Sequence, residues 1–246
     1  NGQVTGEGET YKIVGEADSQ SLRAGGVSLK GTNVVATVTG TNSNYEADGT
    51  AMAQMLTFDD FRIDFLKLAG NVRGTGTDFR WLGELQAAAA KSGSLTLGGL
   101  YLSDALAEYK DEQMRLSAGN GRAKRFAIGD TEFEEMAVRN LKFDNANGVR
   151  LTSTNASAGA LKTKTFSLQG GTGRDVEVKR AKGQTDVHLS GIRSDAAEIK
   201  GAKLKNLTAD ELRFTDLPDS TQVTARNMRA DQVDKDGVIV SGVDAP

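Results

Sequence analysis

The chain has 246 residues, of which 38% are hydrophobic, so it is long enough to bury a core. It contains no Cys and one His, which excludes disulfides, thiol nucleophiles and metal sites built from Cys or His clusters. The 30 basic and 33 acidic residues leave a net charge of −3, which gives no bulk electrostatic case for binding nucleic acid or an anionic membrane. The 29 Gly beside only 2 Pro indicate many turns rather than a disordered linker.

Hydrophobic residues recur with a period of five. From Val187 onwards, six consecutive units fit the pattern h-x-h-x-x, where h is a hydrophobic or small residue: VHLSG, IRSDA, AEIKG, AKLKN, LTADE and LRFTD. Blocks of the same pattern begin at Ala17, Leu95, Phe126 and Val223. Residues one and three of a unit point to the same side of an extended chain, and the last two positions tolerate a corner. Gly occupies many of these final positions, among them Gly26, Gly31, Gly99, Gly191, Gly201, Gly237 and Gly242.

This spacing predicts an all-β fold, an elongated β-solenoid (β-helix) built from roughly five-residue units. We expect residues 1–246 to form a single repeat domain. The predicted interruptions lie at about 40–57, 74–94 and 117–125. A short helix is expected near 78–91 because of the Ala87–Ala90 run, with Trp81 as its packing anchor. Asp48-Gly49 is a hairpin signal, and Met52 and Met55 are expected to fill core.

Units such as AEIKG (197–201) and AKLKN (202–206) resemble the pentapeptide-repeat family, which implies a four-sided right-handed β-helix. This chain departs from that family by placing Val, Leu or Met in the first column, which equally fits a wider solenoid. The Gly-punctuated hydrophobic alternation is also similar to bridge-type lipid-transport proteins of the AsmA and TamB kind. That resemblance implies an open apolar groove, but the groove needs longer strands than five-residue units supply.

Two Gly-rich segments are candidate anion-binding loops. The first, residues 117–125, carries Arg122, Lys124 and Arg125, and the second, residues 170–174, lies close to Lys179. Neither contains a complete phosphate-loop motif, so solvated loops are the competing interpretation.

Candidate catalytic groups are few. His188 is the only imidazole and is expected on the solvent side of a strand, between inward Val187 and Leu189. Carboxylate pairs occur at Asp59-Asp60, Asp111-Glu112 and Glu134-Glu135, as a glycoside hydrolase needs, although the aromatic residues that stack on sugars are sparse. We therefore predict no catalytic, cofactor-binding or metal-binding residues and no cofactor.

The leading functional hypothesis is a non-enzymatic structural or scaffold β-repeat segment of a larger bacterial exported, cell-surface or injected protein, similar in style to regions of toxins and adhesins. The alternatives are a protein-interaction surface, a lipid-conducting β-groove and a polysaccharide-active β-helix enzyme. Expected partners are other domains of the same polypeptide or a protein partner, without nucleic acid and without a membrane span. Because neither end has an obvious capping helix, we also expect the chain to be joined to more protein or to associate end to end.

Overall fold

The computed structural model describes residues 1–24, 27–58, 60–110, 113–144, 148–216 and 221–245. These residues form sixteen β-strands and no helix, which confirms the all-β prediction. The strands are β1 (Gly2–Glu7), β2 (Thr10–Ala24), β3 (Val27–Thr41), β4 (Asn44–Phe58), β5 (Phe61–Thr75), β6 (Asp78–Ser92), β7 (Leu95–Lys110), β8 (Gln113–Ile128), β9 (Thr131–Asp144), β10 (Val149–Lys162), β11 (Phe166–Ala181), β12 (Gln184–Ile199), β13 (Ala202–Asp216), β14 (Thr221–Arg226), β15 (Met228–Lys235) and β16 (Val238–Ala245).

All sixteen strands belong to one antiparallel sheet that is not closed. They follow chain order, except that β13 pairs with both β14 and β15. The expected β-helix would stack successive coils in parallel, whereas the described neighbours pair antiparallel through short turns. The solenoid prediction is therefore corrected to an antiparallel meander of long strands.

Contacts divide the chain into two compact units, an N-terminal unit of residues 1–121 and a C-terminal unit of residues 122–246. Strand β8 contributes residues to both. The division into two units does not test the expectation that residues 1–246 form a single repeat domain, which stays a prediction.

The structural repeat is a whole strand with its turn. Strands β2 to β7 begin at residues 10, 27, 44, 61, 78 and 95, a constant step of 17. From β7 to β13 the step is 18 in every case but one, where it is 17. Two-residue turns close most hairpins, and Lys182-Gly183 and Asp236-Gly237 have positive φ at both positions, as type I′ turns require.

The period of five marks corners inside the strands. Within β9, Glu135 and Asn140 have left-handed φ angles of 49° and 52°, which divide the strand into three segments of four residues each. Other residues inside strands with positive φ are Gly31, Phe65, Gly70, Gly99, Asp104, Gly170, Asp175, Gly191, Asn206 and Gly242. The predicted corners at Gly31, Gly99, Gly191 and Gly242 are thus confirmed, while Gly26 lies outside the described residues. The chain turns these corners without starting a new coil.

Opposite strand ends meet inside the C-terminal unit. Phe166 begins β11, whereas Phe214 is in register with Val187, which pairs with Val178 near the other end of β11. A straight strand would separate Phe166 from Val178 by roughly 40 Å. The rings of Phe166 and Phe214 nevertheless lie 5.8 Å apart, so the sheet of this unit folds over its own apolar face.

The residues at h positions point into this folded core, as predicted. All twelve h residues of the six units from Val187 are buried or half-buried, and Val187, Ile192, Leu207, Leu212 and Phe214 are at most 2% exposed. Burying these side chains supplies the main stabilisation of the unit, because each contributes about 1.5–3 kcal/mol relative to full exposure.

The helix predicted near 78–91 is wrong, because these residues lie in β6 and pair with β5 and β7. Trp81 is buried, as its expected packing role requires, but in a strand. The other two predicted interruptions lie largely in β4 and β8, and Asp48-Gly49 lies within β4 instead of forming a turn. Met52 is 46% exposed, so it does not fill core.

Candidate functional site: the apolar inner face of the N-terminal unit

One face of the N-terminal sheet is built from register-aligned rows of apolar and small residues. Three of these rows, each crossing β2 to β7 in order, are central here. The aromatic row is Tyr11, Gly40, Tyr45, Gly74, Phe79 and Tyr109. The glycine row is Gly15, Ala36, Gly49, Gly70, Gly83 and Ala105. The leucine row is Ala17, Val34, Ala51, Leu68, Leu85 and Leu102. None of them contains a charged side chain, and we call their shared surface the inner face.

Burial of the inner face increases along the sheet. In the leucine row, Ala17 is exposed, the next four members are half-buried, and Leu102 is 1% exposed. Between the aromatic and glycine rows, Ile13 is 38% exposed whereas Trp81 is 6% exposed. The inner face is therefore buried at β6 and β7 and open to solvent at β2 and β3, a gradient from which we infer an apolar cleft.

The aromatic row lines one margin of this cleft. A Cβ on Gly40 would lie 2.3 Å from the Tyr11 hydroxyl, and a Cβ on Gly74 would lie 2.4 Å from the Tyr45 hydroxyl. Each tyrosine ring thus covers the glycine of the next strand, an arrangement in which an aromatic ring compensates for the missing side chain. Burial raises the pKa of Tyr45, and Asp78 and Tyr11 raise it further, so the Tyr45 hydroxyl stays neutral near pH 7.

The glycine row brings neighbouring strands close together on the inner face. A Cβ on Gly83 would lie 2.0 Å from the Ala69 carbonyl oxygen, and one on Gly49 would lie 2.1 Å from the Val35 carbonyl oxygen. Side chains at these positions would collide with backbone, which cannot move aside cheaply. The missing side chains therefore both allow this close approach of the strands and leave the middle of the inner face unfilled.

Sequence reasoning missed this face, although a signal for it exists. Residues 6–11 (GEGETY), 40–45 (GTNSNY) and 74–79 (GTGTDF) repeat a glycine and an aromatic residue five apart, at intervals of 34. Gly15, Gly49 and Gly83 repeat at the same interval. Thirty-four residues are one hairpin of two 17-residue steps, so this longer period identifies rows on a shared face.

His188 lies on the outer face of β12, as predicted, and its side chain is 33% exposed. Its Nε2 lies 2.8 Å from Glu211 Oε1, although without the direction of a hydrogen bond. Arg213 also contacts Glu211, at 2.6 Å, and its hydrogen bond is the main cause of the lowered Glu211 pKa. No serine hydroxyl joins His188 in the described hydrogen bonds, so the geometry is that of a surface ion-pair cluster.

The carboxylate pairs do not form a described acid–base site. Glu134 pairs with Lys162 at 2.6 Å, while Glu135 occupies a corner with left-handed φ. Asp60 accepts a hydrogen bond from Ser92. Asp59, Asp111 and Glu112 lie outside the described residues.

Neither candidate anion-binding segment is a loop. Residues 117–125 are extended in β8, and Arg125 there is paired with Glu132. Residues 170–174 are part of β11, where the Asp195 carboxylate lies directly against Gly170. A carboxylate in that place disfavours a bound anion, so residues 170–174 do not form an anion-binding loop.

The C-terminal unit also contains an apolar cavity, but a small one. Its volume is about 40 Å³, and its lining includes Phe126, Phe133, Leu161, Leu168 and Ile192. This volume is far below the several hundred Å³ typical of a ligand pocket, so the unit is a packed core.

No group of three or more His, Asp or Glu side chains is placed to hold a metal ion in the described part of the chain. Among the same residues, no helix is long and apolar enough to cross a membrane. No protein-family model, curated protein or solved structure matches the chain.

Proposed function

We propose that the protein is a non-enzymatic β-sheet module that holds an acyl chain in the apolar cleft of its N-terminal unit. The observation that carries this proposal is the inner face itself, an uncharged surface that is half-open to solvent. Strands of 15 residues supply the width that five-residue units lack. The charged residues lie outside the three rows, which suits a ligand without hydrogen-bonding groups.

An acyl chain fits this cleft better than a protein segment does. A peptide entering the cleft would bury backbone N–H and C=O groups, and the rows offer only tyrosine hydroxyls at one margin as partners. An acyl chain has no such groups, and each buried methylene contributes about 0.8 kcal/mol. The tyrosine hydroxyls at the aromatic row place polar groups where the polar end of such a ligand would emerge.

Trp81 makes the proposal measurable, because it is the only tryptophan and lies on the inner face. Binding of a conjugated polyene fatty acid should quench Trp81 emission by energy transfer, with a saturable stoichiometry. Ala51→Glu in the leucine row should weaken binding at least tenfold, by placing a charge in the cleft. Thr50→Glu, on the opposite face of the same strand, is the matched control and should bind as wild type.

A second inner-face variant distinguishes a direct loss of binding from a loss caused by misfolding. Ala17 is exposed at the open end of the leucine row, so Ala17→Glu should leave the fold intact and still weaken binding. Absence of saturable binding by the wild-type protein, or equal losses in Thr50→Glu and Ala17→Glu, would rule out the cleft as the acyl site.

The scaffold hypothesis has its own support in the edge strand β16. Val238, Ile239 and Val240 are 65%, 61% and 51% exposed, and β16 pairs only with β15 among the described strands. An exposed apolar edge of this kind recruits another strand. The occupant we propose is β1 of a second copy of this chain, which gives end-to-end association.

Sedimentation experiments test this association. Ile239→Lys and Val4→Lys should each abolish concentration-dependent assembly, whereas Leu82→Lys, away from both edges, should not. A wild-type protein that stays monomeric would refute the proposed association.

A further inference from the structure

A second pocket lies at the margin of the N-terminal unit, next to the aromatic row. It has a volume of about 610 Å³ and is formed by the ends of β5 and β7 and the beginnings of β6 and β8. Its volume is in the range of pockets that hold small organic ligands. We call it the margin pocket, and its lining includes Arg73, Phe79, Arg80, Tyr109, Lys110 and Arg115.

The charges of the margin pocket leave two cations unpaired. Arg73 is bound by Glu46 at 2.9 Å, and Arg80 lies 3.6 Å from Glu108. Lys110 and Arg115 have no ion-pair partner among the described residues, and Asp78 is the one remaining carboxylate in the described part of the lining. The unpaired charge of the pocket is thus positive, which favours an anion.

Two aromatic rings give the pocket an apolar wall. Phe79 and Tyr109 stack with their centroids 5.8 Å apart and their planes inclined by 20°. Both rings are half-buried, so part of each faces the pocket. A stacked pair of this kind offers a flat surface against which a ring-shaped ligand can pack.

We propose that the margin pocket binds a phosphate monoester carried on a sugar-sized group. Lys110 and Arg115 bind the phosphate oxygens through charge-assisted hydrogen bonds, and the Phe79–Tyr109 wall packs against the organic part. This combination selects a sugar phosphate over a bare anion, because inorganic phosphate leaves the aromatic wall uncovered. The same chemistry is met by a free sugar phosphate or by a phosphate headgroup on a lipid.

Calorimetric titration with glucose 6-phosphate, glucose and inorganic phosphate tests the proposal. Glucose 6-phosphate should bind most tightly, inorganic phosphate more weakly and glucose not measurably, and added salt should weaken both phosphates. The double variant Lys110→Ala/Arg115→Ala should lower the affinity for glucose 6-phosphate at least tenfold. The control Arg23→Ala/Lys67→Ala removes the same charge from two exposed residues outside the pocket and should bind as wild type.

The aromatic wall is tested separately with Tyr109→Leu. This change should weaken glucose 6-phosphate severalfold while leaving inorganic phosphate unchanged. Equal affinities of the wild type and Lys110→Ala/Arg115→Ala for glucose 6-phosphate, or no binding by the wild type, would overturn the proposal.

Vesicles distinguish the two sources of the phosphate. Binding to phosphatidic acid vesicles but not to phosphatidylcholine vesicles, lost in Lys110→Ala/Arg115→Ala, would identify a lipid headgroup. Binding of glucose 6-phosphate alone would identify a soluble ligand. Neither outcome depends on the acyl cleft, since glucose 6-phosphate has no acyl chain and the phosphatidylcholine vesicles offer acyl chains without the phosphate monoester.

Discussion

The two units use similar long strands but fill their inner faces differently. In the N-terminal unit the middle of the face is the glycine row, and apolar residues such as Ile13 and Leu22 are 38% and 47% exposed. In the C-terminal unit the equivalent interior contains large side chains. Of the large side chains that are less than 2% exposed, all but Leu102 belong to the C-terminal unit.

This difference indicates that the volume of the interior side chains, rather than the hydrophobic pattern of the strands, decides whether the apolar face of such a sheet is fully buried. The C-terminal unit leaves a cavity of only about 40 Å³. Its interior side chains fill the folded sheet to the density of an ordinary core. The glycines and alanines of the N-terminal unit leave its inner face partly open, which is the physical basis for proposing ligand binding in that unit and a stabilising core in the other.

The largest expected effect comes from emptying the packed core. Phe214→Ala removes a ring that is 1% exposed and contacts Phe166, so we expect a loss of about 3–5 kcal/mol in the free energy of unfolding. Leu22→Ala in the open cleft should cost less than about 1 kcal/mol, because that side chain is already half in water. Urea unfolding followed by circular dichroism measures both, and similar losses would contradict the contrast between the units.

Filling the glycine row should have the next largest effect. Gly83→Ala places a Cβ against the Ala69 carbonyl oxygen, and such overpacking typically costs about 1–3 kcal/mol. Trp81 lies two residues away in β6, so its emission should report the loss directly. Gly171→Ala in the C-terminal unit is the matched control, because the nearest atom to its Cβ would be 4.0 Å away. A near-neutral Gly83→Ala would mean that the strands can separate and that the row does not shape the cleft.

The sequence predicted the inner positions and several corners correctly, because a period of five follows from the geometry of the strands. In the block from Val187 to Asp216, the h positions are apolar except for Ser194, and most of them carry large side chains. Their burial in the folded core is the strongest force acting on the chain. Gly at the end of a unit likewise has a local reason, since a left-handed φ is costly for other residues.

The remaining features of the fold could not be predicted from the period of five. Two corners are occupied by Phe65 and Glu135, which carry no signal for left-handed φ. The Ala87–Ala90 run favours a helix intrinsically, but pairing of β6 with strands on both sides overrides this propensity. Gly83, Leu85 and Ala87 are separated by Glu84 and Gln86, and that period of two was the better guide. The 34-residue interval needed a search for longer repeats.

Relieving a strained corner should have a smaller, stabilising effect. Asp175 is exposed in β11 and has a φ of 46°. Asp175→Gly should raise the free energy of unfolding by about 0.5–1 kcal/mol, because Gly adopts this conformation without steric cost. Asp175→Val should lower it by more, since a β-branched residue is poorly tolerated there. Chemical denaturation measures both, and a stabilising Val would show that the corner does not persist in solution.

The smallest expected effect is a pH dependence that differs between the units. The hydrogen bond from Arg213 holds the pKa of Glu211 below its ordinary value of 4.5, and Arg226 and His188 act in the same direction. Hydrogen bonds from Asn71 and Arg73 lower the pKa of Glu46 in the N-terminal unit. A lowered folded-state pKa contributes stability that is fully present above 4.5 and is lost as the pH falls through the folded value.

Glu211→Gln should therefore reduce the acid sensitivity of the C-terminal unit alone, and Glu46→Gln that of the N-terminal unit alone. Hydrogen exchange measured by mass spectrometry between pH 3 and pH 6 resolves peptides of β12 and β13 from those of β4 and β5. Each substitution should flatten the dependence on pH in its own strands, because Gln cannot take up the proton that breaks the pair. The effects will be modest, since both carboxylates lie near the surface. A change spread equally over both sets of strands would show that the two units do not open independently.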